Sequence, residues 1–482
     1  MTDSHQQDAA GTVVIGAGPA GLTAAYALAQ RGLPVTILEA SSVCGGISRT
    51  VAVEGCHYDL GGHRFFSKNG DIEALWDELA SEPLLERARL SRIYYDGKFY
   101  DYPLRIGNAL RNMGPVEAGR VLGSFAAARV RPTKDVDTFE GWVTSRFGRR
   151  LYEMFFASYT EKVWGRPCSE ISAEWAAQRI RNLSLSKALV NAVVGNRGDR
   201  ATSLIDRFRY PRLGPGQLWD SAAIKCASEG ATLLRDRRVV GFETDGDPPV
   251  IHAVLSDGPH GHERHAAAAV LSSMPLRDLV AALPEPPEPI RDMAAALGYR
   301  GFFVVALVLD TPDLFPDNWV YAHSSSVRVA RVQNFGNWSP DMLPGPGVSC
   351  LGAEYFADPQ DELWNTADDQ LIDLAESELR RIGLLSRGRV IFGHVTRVPD
   401  AYPVYERGHS QWFAGLQSYL TSLPNLWCIG RAGQHRYNNM DHSMMSALLA
   451  AANVADGGRR DVWAVNTEAE YHEESAGRED AG

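Results

Sequence analysis

The feature that most constrains this chain is the glycine-rich stretch GAGPAG at residues 16–21. It follows TVVI, which predicts a short buried strand, and precedes LTAAYALAQRG, whose apolar spacing predicts a helix. In such a turn the first glycine permits a tight bend, the second lets the backbone approach a pyrophosphate, and the third lets the helix pack on the strand. The sequence therefore predicts a dinucleotide phosphate at the helix N-terminus. The residues expected to contact it are Gly16, Gly18, Pro19, Ala20 and Gly21.

An acidic residue and a second pair of glycines extend this fingerprint. PVTILE predicts a second strand that ends in Glu39, where a carboxylate would meet the hydroxyl pair of a ribose. GGISRT follows, and its doublet Gly45-Gly46, with Ser48 close behind, suits a further backbone approach to a long dinucleotide. FAD and NAD both use the first motif, but the second resembles the motif that separates FAD-binding chains from simple NAD dehydrogenases. We therefore predict FAD as the cofactor.

Other strand patterns return to the same sheet later in the chain. HAAAAVLSSMP (265–275) and NLWCIG (425–430) are typical of strands, and a helix is expected to begin near Asp441 with its N-terminus toward the flavin. This predicts an α/β fold with a Rossmann-like FAD-binding domain, an inserted helical domain and a mainly antiparallel β-sheet substrate domain. The predicted boundaries are 10–68, 205–280 and 410–458 for the discontinuous FAD-binding domain, 69–204 for the mainly helical insert, 281–409 for the sheet domain that caps the flavin, and 464–482 for a disordered tail.

Composition excludes several classes of function. The net charge of −11 argues against a general nucleic-acid binder, and the six sparse cysteines indicate a reduced protein. The N-terminal MTDSHQQDAAG lacks the pattern of a signal peptide, and the longest apolar run, FFVVALVL, is too short to cross a membrane. The histidines of PHGHERH lack a carboxylate or cysteine at ordered ligand spacing, so no metal site is expected. We expect a cytoplasmic protein with no nucleic-acid or membrane partner, and the sequence leaves its oligomeric state open.

Five blocks of sequence, in order, resemble the UDP-galactopyranose mutase family, in its eukaryotic rather than its bacterial branch. They are DLGGHRFF (59–66), KVWGRPCSEISAEWAAQRI (162–180), FRYPRLGPGQLW (208–219), NWVYAHSSSVRVARVQNFGNWSP (318–340) and GRAGQHRYNNMDHS (430–443). The resemblance covers about residues 12 to 456. It implies that Arg331 and Tyr437 hold the substrate diphosphate and that Arg431 contacts FAD. It also implies that His63 lies beside the flavin and reports its redox state.

The same resemblance supplies the remaining candidate residues. It implies a catalytic set of His63, Arg331 and Tyr437. It adds to the cofactor site Gly61, Gly62, Arg431, Asn439, Met440 and Ser443. It places at the substrate Arg105, Thr160, Trp164, Trp319, Tyr321, Trp338, Tyr402 and Tyr405, together with Arg331, Tyr437 and Asn439. Trp338 stands where the family usually has a tyrosine. Either Tyr402 or Tyr405 could correspond to another tyrosine of the family, because the spacing in this sequence differs by two residues.

Two departures from the family bear on the nucleotide. Arg105 and Thr160 stand where the family reads uracil with a glutamine and an asparagine, and neither keeps the amide. Because arginine has only donors, it suits an acceptor face such as guanine O6 and N7. A GDP-linked galactose-type sugar, as in antibiotic pathways, is therefore favoured over UDP-galactose.

The family's mechanism implies an isomerase in which reduced FAD is the nucleophile. Flavin N5 attacks the anomeric carbon, the diphosphate leaves, and the resulting flavin N5–sugar adduct opens and recloses as the other ring form. NADPH or another reductant could prime the flavin. The main alternative is an FAD-dependent oxidoreductase of the amine oxidase or protoporphyrinogen oxidase type, which shares the FAD fingerprint. A second alternative is a non-catalytic protein that binds flavin or a nucleotide sugar.

Overall fold

The computed structural model describes residues 10–102, 109, 112–131, 133, 135–173, 207–405 and 409–466. Most of the tail predicted to be disordered, residues 467–482, lies outside this described part, and so does the candidate Arg105. The described strands are β1 (Gly11–Ile15), β2 (Val35–Leu38), β3 (Thr50–Val53), β4 (Cys56–Asp59), β5 (Leu85–Ala88), β6 (Ser91–Tyr95), β7 (Lys98–Asp101), β8 (Arg207–Tyr210), β9 (Thr232–Leu234), β10 (Arg238–Asp245), β11 (Val250–Gly258), β12 (Gly261–Ser272), β13 (Tyr299–Leu309), β14 (Trp319–Ala322), β15 (Arg331–Asn334), β16 (Ser349–Phe356), β17 (Val390–Pro403) and β18 (Leu426–Cys428).

The helices surround two large sheets. Those described are α1 (Pro19–Ala29), α2 (Gly70–Leu79), α3 (Pro115–Val130), α4 (Phe139–Phe147), α5 (Arg149–Tyr152), α6 (Ser158–Trp164), α7 (Pro215–Ser228), α8 (Leu276–Ala282), α9 (Glu288–Ala295), α10 (Phe335–Trp338), α11 (Asp368–Arg381), α12 (His409–Ser422), α13 (Gly430–Gly433) and α14 (Met440–Asp456). None of the helices in the described part of the chain has the length and hydrophobicity that a bilayer crossing requires.

The first sheet is the predicted parallel dinucleotide sheet. Its strand order is β10-β11-β12-β1-β2-β9. The seventh strand, β18, lies outside this order and pairs with β12. β1 lies parallel between β12 and β2, with Val13 opposite Val270 and Thr36. Strand β12 is long enough to change partners: its first half forms a hairpin with β11 and its second half joins the parallel core. Because β1 and its flanking strands are almost wholly apolar, helices α1 and α14 pack together beside it over one buried core.

The second sheet has the order β17-β13-β16-β15-β14-β6-β7 and is antiparallel except between β14 and β6. Strand β13, next to the edge strand β17, is buried from Arg300 to Leu309, and it contains the apolar run FFVVALVL. The pair Asp96-Gly97, a sequence typical of tight turns, connects β6 and β7 in a hairpin with both residues at positive φ, and the hairpin joins this sheet through β6. Together the parallel Rossmann-like sheet and the separate, mostly antiparallel sheet confirm the predicted fold class.

Candidate functional site

One cavity of about 570 Å³ joins the glycine-rich turn after β1 to the second sheet. This volume is in the range of about 300–1,000 Å³ that is usual for small-molecule sites. The cavity brings together residues from both predicted sites, on segments separated by hundreds of positions. The predicted residues that line it are Gly16, Gly18, Pro19, Ala20, Glu39, Gly46, Ser48, Gly61, Gly62, His63, Arg331, Tyr402, Arg431, Tyr437, Asn439, Met440 and Ser443.

The two glycine-rich turns face each other at one end of the cavity. Gly16 has a φ of +95°, and a Cβ at Gly21 would lie 1.8 Å from the Gly16 carbonyl oxygen, so the helix packs directly on the turn. A Cβ at Gly18 would lie 3.8 Å from the Cα of Gly46. The amide of Gly45 donates to the carbonyl of Ala17 at 2.9 Å and fixes the second turn against the first. The glycines thus leave open backbone where a ligand could approach closely.

Glu39 directly follows the last residue of β2, at the same edge of the sheet. Its Oε2 accepts from the amide of Ala17 at 2.6 Å, and its Oε1 accepts from the amide and the hydroxyl of Ser41 at 2.9 and 2.8 Å. These bonds fix the carboxylate at the cavity wall. A carboxylate oxygen can accept more than one hydrogen bond, so a ribose hydroxyl can still be bound there.

These features fit FAD. The open glycine backbone suits a pyrophosphate, Glu39 suits a ribose, and the cavity continues past them for a further, larger group. At its far end lies the N-terminus of α14, where Asn439 is the N-cap residue in a reciprocal capping box with His442. Met440 and Ser443 come from the first turn of this helix and line the cavity.

The loop that carries His63 crosses the middle of the cavity. Gly61 has a φ of +99°, and its missing Cβ would lie 3.3 Å from the guanidinium of Arg331. Burial, together with smaller effects of Arg431 and Arg331, lowers the pKa of His63 to about 4, against the raising effect of its hydrogen bond to Leu60. The ring is therefore neutral at physiological pH, and its Nε2–H donates to the carbonyl of Leu60 at 2.9 Å.

Arg331 is held by a buried carboxylate that the sequence analysis did not single out. Its Nε and an Nη donate to the two carboxylate oxygens of Glu354 at 2.8 and 2.5 Å, and Gln333 donates to the same carboxylate at 2.7 Å. Glu354 is fully buried on β16, directly opposite Arg331 on β15. Burial alone would lower the pKa of Arg331, but the Glu354 charge raises it well above its ordinary value. The guanidinium is fixed in orientation as well as in charge.

Tyrosines and a second arginine surround the same end of the cavity. The rings of Tyr402 and Tyr437 are stacked with centroids 5.6 Å apart, and the guanidinium of Arg431 lies 5.3 and 4.7 Å from them. Of the two tyrosines that could match the single family tyrosine, Tyr402 lines the cavity. The hydroxyl of Tyr405 instead accepts a hydrogen bond from the backbone amide of Tyr437 at 2.7 Å. Burial raises the pKa of Tyr402, so its phenol keeps its proton and can donate.

Several predicted substrate residues lie beside the cavity and do not line it. Trp338 is buried, its Nε1 donates to the carbonyl of Asn318 at 2.9 Å, and its ring stacks on Trp319. A Cβ at Gly62 would lie 3.3 Å from the Trp338 ring, so this residue supports the histidine loop. Tyr321 packs against Tyr102 and Tyr159, with centroids 4.7 and 5.6 Å away. Thr160 and Trp164 are buried in α6.

Comparison with models of known protein families assigns the chain to one family. The model for flavin-containing amine oxidoreductases matches residues 19–455, which is most of the sequence. The chain belongs to this family. Membership implies FAD as the cofactor, in agreement with the turns and the carboxylate described above.

Individual proteins are either distantly similar to this chain or match it over a small part of their length. A mitochondrial protoporphyrinogen oxidase of Nicotiana tabacum is 42% identical over 16% of this chain and 15% of its own length. A probable UDP-galactopyranose mutase of Klebsiella pneumoniae is 26% identical over 33% of this chain and 42% of its own length. A crystal structure of reduced UDP-galactopyranose mutase superposes with a TM-score of 0.81 over 95% of this chain and 98% of that one, at 23% identity. This last likeness establishes the shared fold.

Proposed function

We propose that this flavoenzyme is a mutase that interconverts the pyranose and furanose forms of a nucleotide-diphosphate hexose. The observation that carries the proposal is the location of Arg331, whose oriented guanidinium shares one cavity with the dinucleotide turns. A forked cation beside tyrosine hydroxyls suits a diphosphate. The similarity to UDP-galactopyranose mutases supports the same reading.

The chain's own residues would bind, orient and shield the reactants. FAD would be held by the glycine turns and Glu39 and, in its reduced form, would supply an electron-rich nucleophile for the anomeric carbon. Arg331 and Tyr437 would hold the diphosphate as it leaves and returns, because both place donors where negative charge develops. Tyr402 would exclude water from the sugar. His63 is neutral, so it adds no charge beside the flavin.

We propose a GDP-linked galactose-type sugar in preference to UDP-galactose. The support is the pair of replacements at the family's uracil-reading positions, Arg105 and Thr160. Arg105 lies outside the described residues, so the support for a guanine contact comes from the sequence. Thr160 is buried in α6, next to the aromatic group that contains Tyr159 and Tyr321.

The test is turnover by protein whose flavin has been reduced with dithionite. We expect reduced protein to convert GDP-galactose, or UDP-galactose more slowly, to the furanose form, measured by proton NMR. The oxidised protein is the matched control and is expected to be inactive. Conversion by oxidised protein alone, or by neither form with either nucleotide, would contradict the proposal.

The alternative is an FAD-dependent oxidase of amines or porphyrinogens, which the family match and the Nicotiana relative favour. Amines are cations at neutral pH, and Arg331 and Arg431 at the same end of the cavity would repel them. An oxidase would reduce its flavin stoichiometrically with substrate. A mutase returns the flavin unchanged, so anaerobic flavin absorbance separates the two.

A further inference from the structure

A buried lysine of the KVW block ends inside the loop that leads to Arg331. The Nζ of Lys162, on α6, donates to the carbonyls of Ala322, Ser324 and Val329 at 2.9, 2.7 and 3.1 Å. These three bonds use all three donors of an ammonium group. Burial lowers the pKa of Lys162 to about 8, against a smaller raising effect of Glu378, so the group is mostly cationic at neutral pH.

A buried carboxylate holds the same loop from the opposite side. Oε1 of Glu378, on α11, accepts from the amide of Arg328 at 2.6 Å, and Oε2 accepts from the amide of Val329 at 2.9 Å and from the hydroxyl of Tyr355 at 3.1 Å. Glu378 is only 4% exposed. Val329 is therefore bound at its N–H by a carboxylate and at its C=O by an ammonium.

This loop, residues 323–330, connects the two strands that carry candidate substrate residues. It follows Tyr321 on β14 and runs directly into Arg331 on β15. The amide of Ala330 donates to the backbone carbonyl of Glu354 at 2.9 Å, so the loop also reaches the residue that orients Arg331. Lys162 thereby links this loop to the helix of Thr160 and Trp164.

We propose that Lys162 and Glu378 are positioning residues that clamp loop 323–330 and so set the place of the Arg331 guanidinium for the diphosphate. Neither side chain needs to touch substrate for this role. The inference deepens the proposed function and rests on it in one respect, which is that Arg331 binds the diphosphate. Loss of either charged group leaves buried backbone groups without partners, which frees the loop.

The experiment compares Lys162→Met with wild type and with Lys98→Met as a matched control. Lys98 also donates to two backbone carbonyls, at 3.1 and 3.4 Å, but it is exposed and lies on β7, two strands away from β14. In FAD-loaded Lys162→Met we expect amide hydrogen exchange in residues 322–331 to accelerate about tenfold and the Kd for GDP and UDP to rise about tenfold. FAD stoichiometry should stay unchanged, and Lys98→Met should match wild type in each measurement.

Each other outcome has a defined meaning. Faster exchange with unchanged nucleotide affinity overturns the positioning role, and unchanged exchange overturns the clamp itself. If wild type binds neither nucleotide, the proposed function fails while the exchange measurement still decides the clamp. If wild type forms furanose and Lys162→Met does so equally well, the positioning role is overturned while the proposed function stands. Glu378→Gln tests the same clamp should Lys162→Met not fold, and we expect the same two tenfold changes from it.

Discussion

At the scale of single residues, the proposed diphosphate site depends most on Arg331, which lines the cavity. A guanidinium has five N–H donors, and Glu354 accepts from two of them, so the others remain for a ligand. The pairing fixes the guanidinium before a substrate arrives. It also lowers the net positive charge of the site, so the proposed diphosphate would need the neighbouring Arg431 and tyrosine hydroxyls as well.

Glu354→Gln tests how much this pairing stabilises the protein. We expect the free energy of unfolding to fall by about 3 kcal/mol, because breaking a buried ion pair leaves Arg331 without a counter-charge. Glu376→Gln is the control, since Glu376 pairs with Arg380 on an exposed helix face and should change stability by less than about 1 kcal/mol. Urea unfolding of both variants measures the free energy of unfolding. Equal changes in the two variants would show that the buried Arg331–Glu354 pair stabilises the protein no more than an exposed pair does.

Asp59, at the start of the histidine loop, gives a prediction of pH dependence. Burial raises its pKa to about 7, against the lowering effect of hydrogen bonds from Tyr210 and Thr50. The folded state therefore keeps a proton that the unfolded chain releases near pH 4, so this group's contribution to stability is lost as pH rises through about 7.

We expect the stability of wild type relative to Asp59→Asn to fall between about pH 4 and pH 7 and to be constant above that range, because asparagine does not titrate. The measurement is the free energy of unfolding as a function of pH, with the exposed Asp373→Asn as a control that follows wild type. A pH-independent difference between wild type and Asp59→Asn would refute the assignment.

Sequence patterns located residues whose positions depend on neighbouring elements and missed one whose position depends on strand pairing. Gly16, Gly18 and Glu39 line the cavity, as their spacing within one strand–helix–strand unit predicts, and their contacts with a cofactor stay a prediction. Glu354 was missed because it acts through its register with Arg331 on the next strand. One signal was available, since a lone glutamate inside the apolar strand SCLGAEYF needs a buried partner.

At the scale of elements, the predicted strands formed, but one was shorter than its pattern. VRVARVQNF predicts a strand over 327–335, whereas β15 begins at Arg331. Ala330 still bonds to the neighbouring strands through its backbone, but the backbone groups of Arg328 and Val329 are bound by the side chains of Lys162 and Glu378. Alternation in sequence cannot reveal this, because both bonding schemes satisfy the same backbone groups.

Glycine-to-alanine substitutions in two helices distinguish the effect of close packing on stability from the effect of helix propensity. Gly21→Ala should lower the free energy of unfolding by about 1–3 kcal/mol and reduce FAD content, because the new Cβ would overlap the Gly16 carbonyl. Gly119→Ala, in the exposed helix α3 with open space around it, should raise stability by about 0.5–1 kcal/mol. Urea unfolding and flavin absorbance per chain measure both, and a stable, fully loaded Gly21→Ala would contradict the packing of α1 on its turn.

At the scale of the whole molecule, two sheets contribute opposite ends of one cavity. The fold class was predictable because the dinucleotide fingerprint and the strand patterns are local. The attachment of the β6–β7 hairpin to the second sheet was not, because β6 pairs in parallel with β14 more than 200 residues later. The glycine turns and Arg331 line one cavity because strands far apart in sequence pair with one another. Only the family resemblance indicated that these residues lie close together.

The central claim is that this cavity breaks and remakes the bond between a sugar's anomeric carbon and a diphosphate without net oxidation. Oxygen-18 placed in the bridge between C1 and the β-phosphorus of GDP- or UDP-galactose tests it most directly. With reduced protein we predict that the label moves to non-bridging positions of the β-phosphate, detected by phosphorus NMR, while the sugar's oxidation state is unchanged. Label that stays in the bridge of both nucleotide sugars would contradict the account.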